Sequence, residues 1–90
     1  MTRIIIRQLV WDAFNIEHIK KHNVTIQEVE EATRNVIDHK KARYGRYAVF
    51  TKLKNRLLTL IVKRKGVGVY YIVTARDTAK KERRRFYEKK

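Results

Sequence analysis

Cysteine and proline are both absent from this chain of 90 residues. Without cysteine, neither a disulfide framework nor a thiolate metal site can supplement the small core that one such domain buries. Without proline, the usual marks of linkers and helix breaks are missing, and no internal repeat or low-complexity tract takes their place. Long apolar runs are lacking too. The stretch Val69 to Val73 is far too short to span a bilayer, and the N-terminal residues show neither the uncharged stretch nor the cleavage site of a secretory signal. One domain, residues 1–90, in the cytoplasm and without membrane contact is the expectation.

Negative charge is the other scarcity. Against 23 Lys and Arg there are 9 Asp and Glu, a net charge of +14. The imbalance is confined to one part of the chain: residues 1–38 hold 5 basic and 6 acidic side chains, net −1, whereas residues 39–90 hold 18 and 3, net +15. Clustered cations attract phosphate backbones without sequence-specific contacts. An excess this large is more than solubility requires, which favours nucleic acid over docking onto an acidic protein.

Periodicity orders the rest. Arg3 to Val10 reads as a first strand rich in β-branched residues. Asp12 then offers an N-cap to a helix on which Phe14, Asn15, Ile16, His18, Ile19 and His22 fall on one arc at about 100° per residue. Asn23 suits the end of that helix, because Asn tolerates the left-handed conformation found just past a helix terminus. Thr25 and Glu28 have capping-box spacing, and Val24 with Val29 the spacing of a hydrophobic staple, for a short second helix running to about Thr33. Alternation follows: Val36 to Lys41 as a weak strand, Arg46 to Lys54 as a stronger one, and a hairpin turn at Lys54-Asn55-Arg56. Leu57 to Arg64 and Val67 to Arg76, joined at Lys65-Gly66, are apolar on nearly every residue in their middles, which predicts strands covered on both faces. A very basic helix closes the chain. The fold class is α+β: a single domain with a twisted, mainly antiparallel sheet, two N-terminal helices and one C-terminal helix.

The motif WDxxNxxHIxKHxV, here Trp11-Asp12, Asn15, His18, Lys21-His22 and Val24, resembles the opening of the BrnT family of type II toxins. GRY at Gly45 to Tyr47, TAR at Thr74 to Arg76 and KERRxxY at Lys81 to Tyr87 resemble its closing motifs, in the same order and at similar spacing. The chain departs from that family at Asn23, where Gly is usual, and at Ala79, where Ser or Thr is usual, which leaves Asp77 or Thr78 to cap the last helix. The resemblance implies a RelE-like fold and ribonuclease activity that inhibits translation. It also implies a cognate antitoxin of the ribbon-helix-helix type, with operator DNA engaged only through that antitoxin.

Metal-independent RNA cleavage turns the ribose 2′-OH on its adjacent phosphate. It needs a proton acceptor, a cation at the charged phosphorane and a proton donor for the leaving oxygen. No metal or other cofactor is expected: the carboxylates are scattered, and His18 and His22 lack the glutamate of an HExxH motif. The work would fall to Arg, Lys, His or Tyr.

Arg76 is the first choice for the phosphate-binding cation, at the end of a strand and on the side shared by Tyr70, Ile72 and Thr74. A bland alternative has it reaching water or pairing with Glu82. Lys63 and Arg64 close the neighbouring strand. By helical count Ala79, Arg83, Phe86 and Tyr87 share the face that meets the sheet, so Arg83 either joins Arg76 at a phosphate or belongs with Glu82 to an ion-pair network that holds the helix down. His22, and less so His18, is the candidate general base. The competing reading makes both packing residues satisfied by Trp11, Asp12 and Asn15. Arg46, Lys80, Lys81, Arg84 and Arg85 are expected to meet RNA, including ribosome-associated mRNA, with Tyr70, alongside Tyr71 and Tyr47, as a base-stacking candidate that would otherwise be a core residue. The rival to the enzyme is a non-catalytic basic module, or an inactive toxin homologue, that binds nucleic acid or a protein partner.

Overall fold

The computed structural model describes residues 4–54 and 56–88, residues 85–88 by backbone alone. Nine elements follow one another: β1 (Gln8–Val10), α1 (Ala13–Lys20), α2 (Ile26–Ala32), β2 (Val36–Lys41), a 3-10 turn (Arg43–Gly45), β3 (Arg46–Leu53), β4 (Arg56–Gly66), β5 (Val69–Asp77) and α3 (Lys80–Glu88). The strands form one sheet in the order β1-β5-β4-β3-β2, with β1 parallel to β5 and all other pairs antiparallel. The α+β class therefore holds, with a five-stranded mixed sheet and three helices. Among the described residues no helix is long and apolar enough to cross a membrane.

Local signals set the helices. Asp12 caps α1, accepting from the Asn15 N–H at 2.9 Å, while the Asp12 N–H donates to Asn15 Oδ1 at 2.8 Å. The same Asn15 side chain, 2 % exposed, donates from Nδ2 to the Val10 carbonyl at 2.8 Å. One buried amide thus ties the end of β1 to the first turn of α1. Asn23 adopts φ +58 just beyond that helix. At α2 the expected box forms in both directions between Thr25 and Glu28, at 3.1 and 2.9 Å, with Val24 and Val29 both buried.

Ile19, Val24, Val29 and Ala32 from the helices pack on Leu9, Val49, Leu53, Leu58, Leu60, Val62, Tyr70, Ile72 and Ala75, which lie on one face of the sheet. A smaller cluster of Ala48, Phe50 and Leu57, with Ile61 against it, lies on the other face. Arg56 closes the near end of the sheet: it donates to Asp77 at 2.6 Å, to Glu28 at 3.1 Å and to the Asn23 carbonyl at 3.1 Å.

Three expectations need correction. β1 begins at Gln8, so Ile4 to Arg7 are not part of the strand, and Arg3 lies outside the described residues. The β4–β5 turn is at Val67-Gly68, two residues later than expected, because Gly66 still pairs with Val69 and Gly68 supplies the left-handed φ of +72. The two long strands also differ in cover. Leu57 to Leu60 of β4 are all buried, but Tyr71, Val73 and Thr74 of β5 are only half-buried. Lys54 takes φ +54 at the β3–β4 hairpin, and Asn55 lies outside the described residues.

A candidate nucleic-acid interface on the open face

The register of β5 decides which side chains meet. Val62 pairs with Ile72, but Ile61 pairs with Thr74, so β5 spends one extra residue at Val73. Such a bulge reverses the alternation beyond it. Tyr70 and Ile72 therefore face the helix-covered core, whereas Thr74 and Arg76 share the opposite face with Tyr71. This corrects the expectation that Arg76 lies on the side of Tyr70 and Ile72. It also settles Tyr70, which is 7 % exposed and is a core residue rather than a surface for bases. Of the two neighbouring tyrosines, Tyr71 is the one on the open face.

On that open face Arg46 pairs with Lys63 across β3 and β4, and Lys63 pairs with Tyr71 across β4 and β5. This row forms part of a hollow of about 370 Å³ lined by Phe14, Asn15 and His18 from α1, Arg46 from β3, Lys63 and Lys65 from β4, and Tyr71 and Val73 from β5. α1 can supply one wall because its arc is divided. Asn15 and Ile19 are buried, while Phe14 and His18 are left exposed beside β5. Lys65 comes from the second irregularity of this ladder, between Arg64 and Gly66, and its ammonium sits 6.0 Å from the centre of the Tyr71 ring.

Tyr71 is held in place. Its hydroxyl donates to the two Asp12 carboxylate oxygens at 2.9 and 3.1 Å. Burial, then the bond to Asp12 and its charge, raise the Tyr71 pKa above the usual value. The Asn15 N–H, followed by the Tyr71 hydroxyl, lowers that of Asp12 despite some opposing desolvation. Tyr71 is thereby kept protonated and serves as wall and donor rather than base. Among the side chains lining the hollow, His18 supplies the one imidazole. The hollow can thus offer cations to a phosphate, an imidazole for proton transfer and aromatic faces for bases. Among the described residues no three His, Asp or Glu side chains come together in a way that could hold a metal ion.

Of the other candidates, His22 is exposed one turn beyond His18, ring centres 5.6 Å apart, and does not line the hollow. Arg76 is half-buried and opposite Thr59, four residues along β4 from Lys63, a separation of about 13 Å along the strand. Arg83 is exposed, and its charge acts on Asp77 at the end of β5, which does not line the hollow. Glu82 is the half-buried residue of that turn, and its carboxylate meets Lys40, not Arg76, at 3.2 Å. The helical count placed Arg83 inward, whereas Glu82, bonded to Lys40 of the edge strand β2, is the half-buried residue there. Arg64 is exposed and donates to the Gly66 carbonyl at 3.2 Å. Lys80, Lys81 and Arg84 are exposed on α3, and the Arg85 side chain lies outside the described residues, as do those of Phe86 and Tyr87.

The sequence reading places Lys65 in a turn, and only the register separates Tyr71 from Tyr70 as the stacking candidate that lines the hollow. The spacing of Lys63 and Lys65, two residues apart in a strand, was the available signal. Comparison of the chain with protein-family models, with curated proteins and with solved structures finds no significant match.

Proposed function

We propose that this chain is a ribonuclease toxin of the BrnT type with a RelE-like fold, cleaving RNA without a metal and neutralised by a cognate ribbon-helix-helix antitoxin. The single observation that carries the reading is the company His18 keeps: an imidazole sharing a hollow with Arg46, Lys63 and Lys65 on the open face of the sheet. The order of strand, two helices, antiparallel meander and final helix agrees with the motifs that suggested the family. In this reading His18 accepts the 2′-hydroxyl proton and Lys63 and Arg46 stabilise the phosphorane. The imidazolium so formed then protonates the leaving 5′-oxygen. The exposed cations of α3 and Arg64 extend the contact to flanking phosphates or to an acidic stretch of the antitoxin, and operator DNA is reached only through that partner. The cytoplasm, where mRNA is translated, is the matching location.

The test is cleavage of a labelled RNA by purified protein in excess chelator. Products ending in a 2′,3′-cyclic phosphate, and at least a hundredfold slower cleavage by His18→Ala, are the expected results. RNA that is bound but left intact would instead support the non-catalytic basic module.

A further inference from the structure

The open face carries two exposed rings that neither packing nor the proposed chemistry uses. Phe14, on the first turn of α1, is 83 % exposed and lines the hollow on the β5 side. Tyr44, in the 3-10 turn before β3, is 81 % exposed, and the Arg46 guanidinium, itself part of the hollow, lies 5.9 Å from its ring centre. Tyr44 also has φ +61 and ψ +38, a left-handed conformation that costs a bulky side chain energy and that Asn or Gly would adopt more readily. Tyr44 and Gly45, both left-handed, turn the chain between β2 and β3, a job that needs the backbone conformation but no aromatic ring held out in water. Such outliers concentrate where a ligand is bound.

We infer that Phe14 and Tyr44 are two base-stacking platforms at opposite rims of the cationic hollow, and that the site takes unpaired RNA. Across the sheet the order is Tyr71 on β5, Lys63 on β4 and Arg46 on β3, with Phe14 lining the hollow beside Tyr71 and the Tyr44 ring 5.9 Å from the Arg46 guanidinium. β5 and β3 are two strand spacings apart, about 10 Å. A backbone phosphate drawn to Lys63 and Arg46 leaves its flanking bases to reach a ring on either side. Only unstacked bases can do so, and a duplex keeps its bases paired and inside. Arg46 then contacts phosphate and backs the Tyr44 ring at once. The choice of RNA as ligand rests on the function proposed above; the assignment of the two rings rests on their exposure and geometry.

The test is fluorescence anisotropy at one fixed, low salt concentration, with a short 2′-O-methylated single strand, the same strand in a duplex, and the same strand carrying abasic sites. The 2′-O-methyl strand offers no nucleophile, so binding is read apart from cleavage. Tyr44→Ala and Phe14→Ala should each weaken single-strand binding by about tenfold, while Tyr44→Phe binds as the wild type does. Neither alanine variant should alter duplex or abasic binding by more than about twofold. Tyr44→Asn relieves the backbone, so it should raise the melting temperature by about 2–5 °C while losing affinity as the alanine variant does. The inference is overturned if the alanine variants bind the single strand as tightly as the wild type, if they lose duplex and abasic binding equally, or if the wild type binds none of the three. Tyr44-dependent binding by a protein that cuts no RNA would support the platforms while removing the ribonuclease reading.

Discussion

The same strands make two unlike surfaces. On the helix-covered face Val49, Leu58, Leu60, Val62 and Ile72 have no exposed surface, closed over by Ile19, Val24, Val29 and Ala32. On the open face Ala48, Phe50, Leu57 and Ile61 make a smaller apolar cluster, and beyond it Arg46, Lys63 and Tyr71 form the polar row of the hollow. Strand alternation turns one sequence into a wall for folding and a surface for ligands. A single bulge at Val73 determines on which of them the end of β5 falls. Stability and function should accordingly separate by face.

The largest effect expected is on the covered face. Leu60→Ala should cost about 2–5 kcal/mol in chemical denaturation, the usual range for a fully buried leucine. Lys63→Ala, three residues away on the open face, should change stability by no more than about 0.5 kcal/mol. Comparable losses from the two would mean that the faces are not distinct. Asn15 is the residue that belongs to both, since it is buried yet borders the hollow. Asn15→Ala leaves the Val10 carbonyl and Asp12 N–H without their partner, and should cost about 1–3 kcal/mol as well as impair RNA handling.

Smaller effects sharpen the contrast. Thr25→Ala removes one half of the α2 capping box, far from the hollow, and should cost about 1 kcal/mol with activity per folded molecule unchanged. Acid should weaken the protein by a route that avoids the core. Asp77 is held below the usual carboxylate range chiefly by its bond to Arg56, and Asp12 by the Asn15 N–H. A carboxylate depressed in the folded state stabilises above the unfolded pKa of about 4 and loses that contribution as pH falls through the folded value. Denaturation midpoints should therefore decline below about pH 4, and less steeply in Asp77→Asn. Tyr71 works in the opposite direction: its raised pKa gives stability in full below about pH 10 that is lost as pH rises further, and Tyr71→Phe should flatten that alkaline decline.

What was legible in the sequence was local. Asp12, Asn23 and the Thr25–Glu28 pair announce the helix ends because capping is settled within four residues. Val36 to Lys41 and the β3 alternation could be read for the same reason. Arg46 and Lys63 could be named as basic strand residues, but their meeting with Tyr71 and His18 depends on register between segments far apart in the chain. The bulge at Val73 leaves no mark in an apolar run, so Arg76 was assigned to the face of Tyr70. The helical count turns Arg83 inward, but the exposed residue there is Arg83 and the half-buried one Glu82, a difference of one position in helix rotation. Phe14 falls on one arc of α1 with the buried Asn15 and Ile19, yet it is left exposed where it borders the hollow.

The central claim is that the functional centre is the hollow around Lys63 and His18, with Arg76 outside it. Its most direct test is RNA cleavage in excess chelator by the wild type, Lys63→Ala and Arg76→Ala, each checked for folding by circular dichroism. The account predicts that Lys63→Ala lowers the cleavage rate at saturating RNA by at least about tenfold, whereas Arg76→Ala mainly weakens binding. Abolition of cleavage by Arg76→Ala with Lys63→Ala fully active would contradict it.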